Sequence, residues 1–84
     1  SPPVRIPAIA SERLKKRPGR ADYQRGIAEL HEAGQWQGRS TGQQGSGILS
    51  SVSKANCFIV LEQERGHVEP GETVMVEMFD QWLS

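Results

Sequence analysis

Residues 21–41 read ADYQRGIAELHEAGQWQGRST and contain the pattern that decides the fold. Polar and apolar side chains alternate over 21–30, which is the period of a β-strand. Three of these side chains fall on one side of the predicted strand: Tyr23, Arg25 and Ile27. Residues 32–34 then predict a turn, and 35–41 predicts a second, polar strand that carries Trp36. The whole stretch therefore predicts a β-hairpin.

The sequence before the hairpin is punctuated by proline. SPPVRIP (1–7) is predicted to be an extended lead-in, because each proline disfavours a helix at its own position and at the one before it. The mixed pattern over 8–16 fits an extended strand, with a helix as the alternative. Pro18-Gly19 predicts a turn, since proline fixes φ and glycine permits a positive φ.

The sequence after the hairpin is more apolar. CFIVLE (57–62) is a continuous apolar run typical of a buried strand, HVEPGE (67–72) places a Pro-Gly pair for a type II turn, and TVMVEMF (73–79) predicts a closing strand. A short helix is predicted over 48–55, where apolar residues recur at helical spacing. We therefore predict an all-β domain of about five short strands with one helical turn, forming a small barrel or a bent sheet.

Composition limits the classes of protein to consider. The 84 residues are 36% hydrophobic and 24% charged with zero net charge, which argues against disorder and against a strongly basic nucleic-acid binder. No apolar run approaches roughly 18 residues, so neither a membrane span nor a signal peptide is expected. The start SPP, rather than Met, suggests a piece of a larger protein or a processed product.

The zero net charge hides an asymmetry. Seven of the ten basic residues lie in 1–25 against two acids, giving this part +5 and the remainder −5. The fold is expected to present a positive strip. RLKKRPGRADYQR (13–25) either contacts phosphates or RNA or is simply the exposed face of a strand end.

Familiar catalytic and metal-binding patterns are missing from the sequence. His31 and His67 are the only histidines and have no metal-ligand spacing, so both are expected to be solvated turn residues. The single Cys57 lies in an apolar run, cannot form an internal disulfide and is predicted to be a buried small hydrophobe. A domain with these residues is not expected to be a complete enzyme.

TGQQGSGILSS (41–51) is the main candidate for a binding segment. A glycine-rich turn that leads into a helix, with Ser46 or Gly47 as N-cap, would offer aligned N–H donors to an anion. The alternative is an ordinary turn that binds nothing. Arg25 is the matching candidate on the hairpin, because its guanidinium fork suits an oxyanion and it would point at a cavity. Gly26 beside it indicates a close backbone approach or a bulge.

Read together, these segments resemble the C-terminal domain (domain IV) of the molybdopterin molybdenumtransferase family, which includes MoeA and the gephyrin E domain. The matching segments cover roughly 13–78 and are LKKRPGRADYQRG (14–26), TGQQGSGILSS (41–51), ANCFIVLE (55–62) and VEPGETVMVE (68–77). The resemblance implies a β-clip fold, a bent β-ribbon that closes into an incomplete barrel. The domain is expected over 13–84, with 1–12 as linker and start of the first strand.

For the parent protein the resemblance implies an enzyme of molybdenum cofactor biosynthesis. Such an enzyme inserts molybdate into adenylylated molybdopterin, with Mg²⁺-dependent cleavage of the adenylate. It implies a cytoplasmic homodimer whose active cleft lies between subunits, with this domain lining one wall. The Mg²⁺ and pterin-binding residues of the family belong to other domains, so the isolated domain is expected to be inactive.

The resemblance also implies site residues. The family's Gln-Arg-Gly arginine and Gln-Gly-Ser serine correspond to Arg25 and Ser46, the latter flanked by Gly45 and Gly47. Their implied role is to hold an oxyanion, either molybdate or the pterin phosphate. From the residues alone two other functions stay open: a non-catalytic module that binds nucleic acid or a protein partner, or an architectural domain that stabilises a dimer. The resemblance itself implies no nucleic acid and no membrane.

Overall fold

The computed structural model describes residues 3–41 and 55–79, which form five strands and one 3-10 turn. The elements in chain order are β1 (Arg5–Ala10), β2 (Asp22–Leu30), the 3-10 turn (Glu32–Gly34), β3 (Trp36–Ser40), β4 (Cys57–Leu61) and β5 (Thr73–Met78). Around the sheet the order is β1-β3-β2-β4-β5, and pairing between β1 and β5 closes it into a barrel. The predicted all-β fold is confirmed, and the barrel is closed rather than incomplete.

The predicted hairpin is β2 and β3. The two strands pair antiparallel from Gly26 opposite Ser40 to Leu30 opposite Trp36. The turn between them contains the 3-10 element, where Ala33 has φ 64° and Gly34 has φ 75°. The His31 N–H donates to Gln35 O at 2.7 Å and closes the turn. This 3-10 element is the one helical turn among the described residues, and it coincides with the turn predicted at 32–34.

Strand β4 runs through the core, as its apolar run predicts. It pairs antiparallel with β2 on one side and with β5 on the other. Side chains on its inner face are fully buried: Cys57, Ile59 and Leu61. They pack with inward residues of the other strands and loops: Ala8, Ala10, Leu14, Ala28, Val68, Val74, Val76 and Met78. Half-buried Trp36 contacts the edge of this core.

The Pro-Gly turn before β5 is confirmed. Glu72 N–H donates to Glu69 O at 3.1 Å across the turn. Gly71 has φ 95°, the positive value that the third residue of a type II turn requires. Glycine is needed here because a side chain is strained at this φ.

Strand β1 begins earlier than predicted. The extended conformation expected over 8–16 holds from Ala8 to Ala10, but the strand starts at Arg5, inside the predicted lead-in, and the helical alternative is wrong. The position of Pro7 explains why a proline is tolerated within β1. Successive backbone N–H groups of a strand point to opposite sides, so every second one faces the same neighbouring strand. The Ala10 N–H points to Glu72 O of the β5 side. The Pro7 nitrogen therefore faces β3, and β3 pairs with β1 only from Ile9 onwards.

The helix predicted over 48–55 lies outside the described residues, apart from Ala55, which is in no regular element. Within the described ranges, no helix has the length and apolar character that a membrane span requires.

Candidate functional site

Arg25 lies on the outer surface of the barrel wall. Strand β2 alternates, so that Gly26 and Ala28 are buried while Tyr23 and Arg25 are exposed. The prediction that Arg25 shares a side with Tyr23 and Ile27 is confirmed. The inward positions of so small a barrel are filled by core side chains, so this side is the outer face of the barrel wall. That it also faces a cavity stays a prediction, because residues 42–54 lie outside the described part of the chain.

An aromatic cluster supports the Arg25 side chain. Phe58 of β4 is directly opposite Arg25 in the strand pairing, and the Arg25 Cζ lies 6.0 Å from the centre of the Phe58 ring. Tyr23 and Phe79 meet the same ring edge to face, with centroid distances of 6.1 and 5.0 Å. A guanidinium over an aromatic face keeps its full charge and is held in place by the ring quadrupole. Sequence reasoning missed Phe58, although the alternation of β4 places it outside.

The acidic group nearest in strand register is already paired. Glu77 of β5 is opposite Phe58, and its carboxylate accepts a hydrogen bond from Arg5 Nε at 2.7 Å. Arg5 also donates to the Tyr23 hydroxyl at 3.1 Å. The Glu77 contact raises the pKa of the Arg5 guanidinium. Within residues 3–41 and 55–79, no carboxylate forms an ion pair with Arg25.

The two described stretches that flank residues 42–54 meet beside Arg25. Thr41 N–H donates to Arg25 O at 2.9 Å, where the described chain stops. Where it resumes, Asn56 N–H donates to Gly26 O at 2.9 Å. Ser46, with Gly45 and Gly47, lies between these anchors but outside the described residues. Thr41 and Asn56 are thus both fixed at the strand position that carries Arg25.

Gly26 makes the close backbone approach that its position predicts. A Cβ atom here would lie 2.7 Å from Arg39 O and 2.8 Å from Ile59 Cδ1. Neither the neighbouring backbone nor the buried isoleucine leaves space for a methyl group. The glycine therefore keeps β2 and β3 in contact at the level of Arg25.

The described residues do not form a metal site. Among 3–41 and 55–79, no three His, Cys, Asp or Glu residues are grouped so that they could hold an ion. His67 Nδ1 accepts a hydrogen bond from the backbone N–H of Lys16 at 3.0 Å. His31 Nε2 lies 3.8 Å from Glu29 Oε1. Cys57 is fully buried, and this burial raises the pKa of its thiol to about 11. Cys57 is therefore the small hydrophobe that the sequence predicts.

The basic residues do not form the continuous strip that their order suggests. Arg5 pairs with Glu77, and Arg13 pairs with Glu69 at 3.2 Å. Lys16 is only 6% exposed. Its ammonium group binds backbone carbonyls instead of facing solvent. Folding brings acids from the second half of the chain onto bases of the first half, which divides the positive charge.

Comparisons with known proteins agree with this fold. The model of the MoeA C-terminal region (domain IV) family matches residues 7–79. A molybdopterin molybdenumtransferase from Haemophilus influenzae is 52% identical over 81 residues, covering 96% of this chain and 20% of that protein. The chain therefore spans about a fifth of the length of this curated relative.

Solved structures give the same result. The molybdopterin biosynthesis MoeA protein from Pyrococcus horikoshii aligns with a TM-score of 0.68 and 25% identity over 92% of this chain and 19% of its own. A molybdenum cofactor biosynthesis protein from Pyrococcus furiosus shares the fold, with a TM-score of 0.64 and 24% identity over 90% of this chain and 26% of its own. Because the family model matches most of its length, the chain belongs to the MoeA C-terminal region (domain IV) family.

Proposed function

We propose that this chain is the part of a molybdopterin molybdenumtransferase that supplies Arg25 to an oxyanion site used in molybdate insertion. The observation that carries the proposal is the state of Arg25. It is exposed, supported by Phe58 at 6.0 Å, and without an ion pair in the described part of the chain. A guanidinium that an aromatic ring holds in place can donate two parallel N–H hydrogen bonds to an incoming oxyanion.

Ser46, Gly45 and Gly47 complete the proposed site. The residues on either side of 42–54, Thr41 and Asn56, donate to the carbonyls of Arg25 and Gly26. Hydroxyl and backbone N–H groups from such a segment would add neutral donors to the charged donors of Arg25. The ligand of this site would be molybdate or the phosphate of the pterin substrate, both of which present tetrahedrally arranged oxygens.

The remaining four fifths of a protein of the relative's length would supply what this chain lacks. We assign to it the Mg²⁺ site, the pterin-binding surface and the contacts of a homodimer, so that the isolated chain has no insertion activity. The domain would then line one wall of the active cleft with its Arg25 face. The coverage of only 20% of the relative's length supports this division.

Replacing Arg25 by alanine in the full-length parent tests the proposal. We expect molybdate-dependent cofactor formation to require at least tenfold more molybdate, because a charge-assisted contact contributes roughly 1.5–3 kcal/mol. Arg13→Ala is the matched control, since it removes the same charge from an exposed arginine that already has a carboxylate partner. Its molybdate dependence should stay that of the wild type.

Two outcomes of this experiment would contradict the proposal. If Arg25→Ala and Ser46→Ala both form cofactor at the wild-type molybdate requirement, the site is elsewhere. If both variants lower only the melting temperature or the dimer affinity of the parent, the domain has an architectural role. Ser46→Ala alone is expected to weaken molybdate use without changing the thermal stability of the chain.

A further inference from the structure

A second cationic site lies where strand β2 begins, whereas Arg25 is in the middle of the strand. Residues Lys16, Arg17, Arg20, Ala21 and Asp22 line a cleft of about 360 Å³, called here the loop cleft. Asp22 is three residues before Arg25, about 10 Å along an extended strand. Thr41 and Asn56, which flank residues 42–54, bind the carbonyls of Arg25 and Gly26, further along the strand. The loop cleft is therefore separate from the proposed oxyanion site.

The backbone around the loop cleft is held in place by the neighbouring loop. Leu14 and Val68 exchange two backbone hydrogen bonds of 2.9 Å. Gly19 N–H donates to Gln63 O at 2.8 Å, and its φ of 120° lets the chain turn at Pro18-Gly19. These backbone contacts order the loop without the side chains of Arg17 and Arg20. A ligand would meet a preformed cleft, at a low cost in loop entropy.

Lys16 places a positive charge at the buried side of the loop cleft. Its ammonium donates to Arg65 O at 2.8 Å, Arg17 O at 3.0 Å and Gln63 O at 3.4 Å. An ammonium has three donors, so these carbonyls satisfy all of them. Carbonyl dipoles solvate the charge but do not neutralise it. No carboxylate ion pair to Lys16 occurs in the described part of the chain, and the loop cleft therefore has a positive potential.

Arg17 and Arg20 are exposed at the mouth of the loop cleft. Neither forms an ion pair within 3–41 and 55–79. The one carboxylate in the lining is Asp22, which accepts a hydrogen bond from Gln24 Nε2 at 2.9 Å. Three cations against one carboxylate leave the lining with an excess of two positive charges.

We propose that the loop cleft binds a small multivalent oxyanion of the phosphate class, such as pyrophosphate or a phosphate ester. Two guanidinium forks can each bind a phosphate group through two N–H donors. The volume lies in the range of small-molecule sites. A nucleic-acid strand is disfavoured because it needs a track of several cations, whereas Arg5 and Arg13 are already ion-paired.

Titration of the chain with inorganic pyrophosphate, followed by ¹H–¹⁵N chemical shifts, tests this proposal. We expect saturable shifts at the Arg17, Gly19 and Arg20 amides. Arg17→Gln and Arg20→Gln should each weaken the binding about tenfold, and the double variant should abolish it. Both side chains are exposed, so the thermal midpoint of these variants should stay that of the wild type.

Two further variants serve as controls. Arg13→Gln removes an exposed arginine outside the loop cleft and should bind pyrophosphate like the wild type. Arg25→Gln should leave the pyrophosphate-dependent shifts of the Arg17, Gly19 and Arg20 amides unchanged, whether or not Arg25 acts in molybdate use, which separates this inference from the proposed function. Linear, unsaturable shifts, or equal weakening by Arg13→Gln, would overturn the proposal. It would also be overturned if a single-stranded oligonucleotide bound through Arg17 and Arg20 while pyrophosphate did not.

Discussion

At the scale of single residues, two glycines in neighbouring strands differ in what they tolerate. Gly26 in β2 is surrounded so closely that a Cβ would meet Arg39 O at 2.7 Å. Gly38 in β3 is also buried, but a Cβ there would meet Val76 Cγ1 at 3.8 Å, an ordinary contact. Gly26 is therefore required because no room exists for a side chain, whereas the space around Gly38 would accept a methyl group.

Gly26→Ala should lower the free energy of unfolding by about 2–3 kcal/mol, since overpacking against a backbone carbonyl leaves the strand no easy shift. Gly38→Ala should be neutral or stabilise by up to about 1 kcal/mol, because alanine loses less backbone entropy than glycine in a strand. Urea denaturation of both variants measures the difference. Equal destabilisation by the two substitutions would contradict the packing described for Gly26.

Cys57 makes a second prediction at this scale, on pH dependence. Burial raises the pKa of its thiol from 9.0 to about 11, so the folded state keeps a proton that the unfolded state loses. Stability from this group is fully present below about pH 9 and is lost as the pH rises towards 11, by roughly 2–3 kcal/mol. Urea midpoints at pH 8 and above should fall more steeply for the wild type than for Cys57→Ala. If the urea midpoints of the two proteins changed in parallel with pH, the predicted contribution of the Cys57 thiol would be contradicted.

At the scale of elements, Asn56 completes the junction of three strands. Strand pairing between β2 and β4 ends at Gly26 opposite Cys57. Beyond that point the Asn56 side chain accepts from Ala28 N–H at 2.8 Å and donates to Ala28 O at 2.9 Å. The backbone carbonyl of Asn56 accepts a hydrogen bond from Phe79 N–H at 3.0 Å, just after the end of β5. An amide side chain thus replaces a missing strand partner beside the candidate site.

Asn56→Ala should destabilise the chain by about 2–4 kcal/mol, because a buried donor and a buried acceptor of Ala28 lose their partners. Thermal and urea unfolding measure this loss. Gln35→Ala is the control: it removes an exposed amide that donates to Trp36 O at 3.1 Å, and it should change stability by less than about 0.5 kcal/mol. Comparable losses for the two variants would show that Asn56 has no special part in the junction.

At the scale of the whole molecule, β1 closes the barrel. It pairs antiparallel with β5 over Arg5–Ile9 and parallel with β3 at Ile9 and Ala10. Ala8 and Ala10 of β1 also fill part of the core, where both are almost fully buried. Closure removes the two strand edges that β3 and β5 would otherwise expose. A domain of this size buries little apolar surface and is only marginally stable, so the loss of one strand has a large effect on its stability.

Deletion of residues 1–10 should therefore abolish cooperative unfolding and expose the edges of β3 and β5 to aggregation. Deletion of residues 1–4 should leave a folded barrel, since Val4 is 62% exposed and precedes β1. Near-ultraviolet circular dichroism and thermal melts of the two truncated chains test this. A cooperative melt of the chain that lacks 1–10 would show that closure is dispensable.

Local patterns predicted much of this barrel. The alternation over 21–30 and the turn at 32–34 specified the hairpin, and Pro70-Gly71 specified the turn before β5. The apolar run at 57–61 specified the buried strand. These features depend on periodicity and on the φ preferences of proline and glycine, which a chain carries in its sequence. Arg25 was found as a candidate in the same way, from its place next to Gly26 on a strand.

Contacts between distant residues decided the rest. Closure by β1, the inward burial of Lys16 and the pairing of Arg5 with Glu77 join positions tens of residues apart, and no local pattern encodes them. The outward direction of Arg25 and its support by Phe58 likewise depend on which face of the sheet became the core. Sequence by itself determined the strands, turns and chemical groups of this protein. Tertiary structure alone decided which charges are neutralised and which stay available, because that depends on the neighbours that folding supplies.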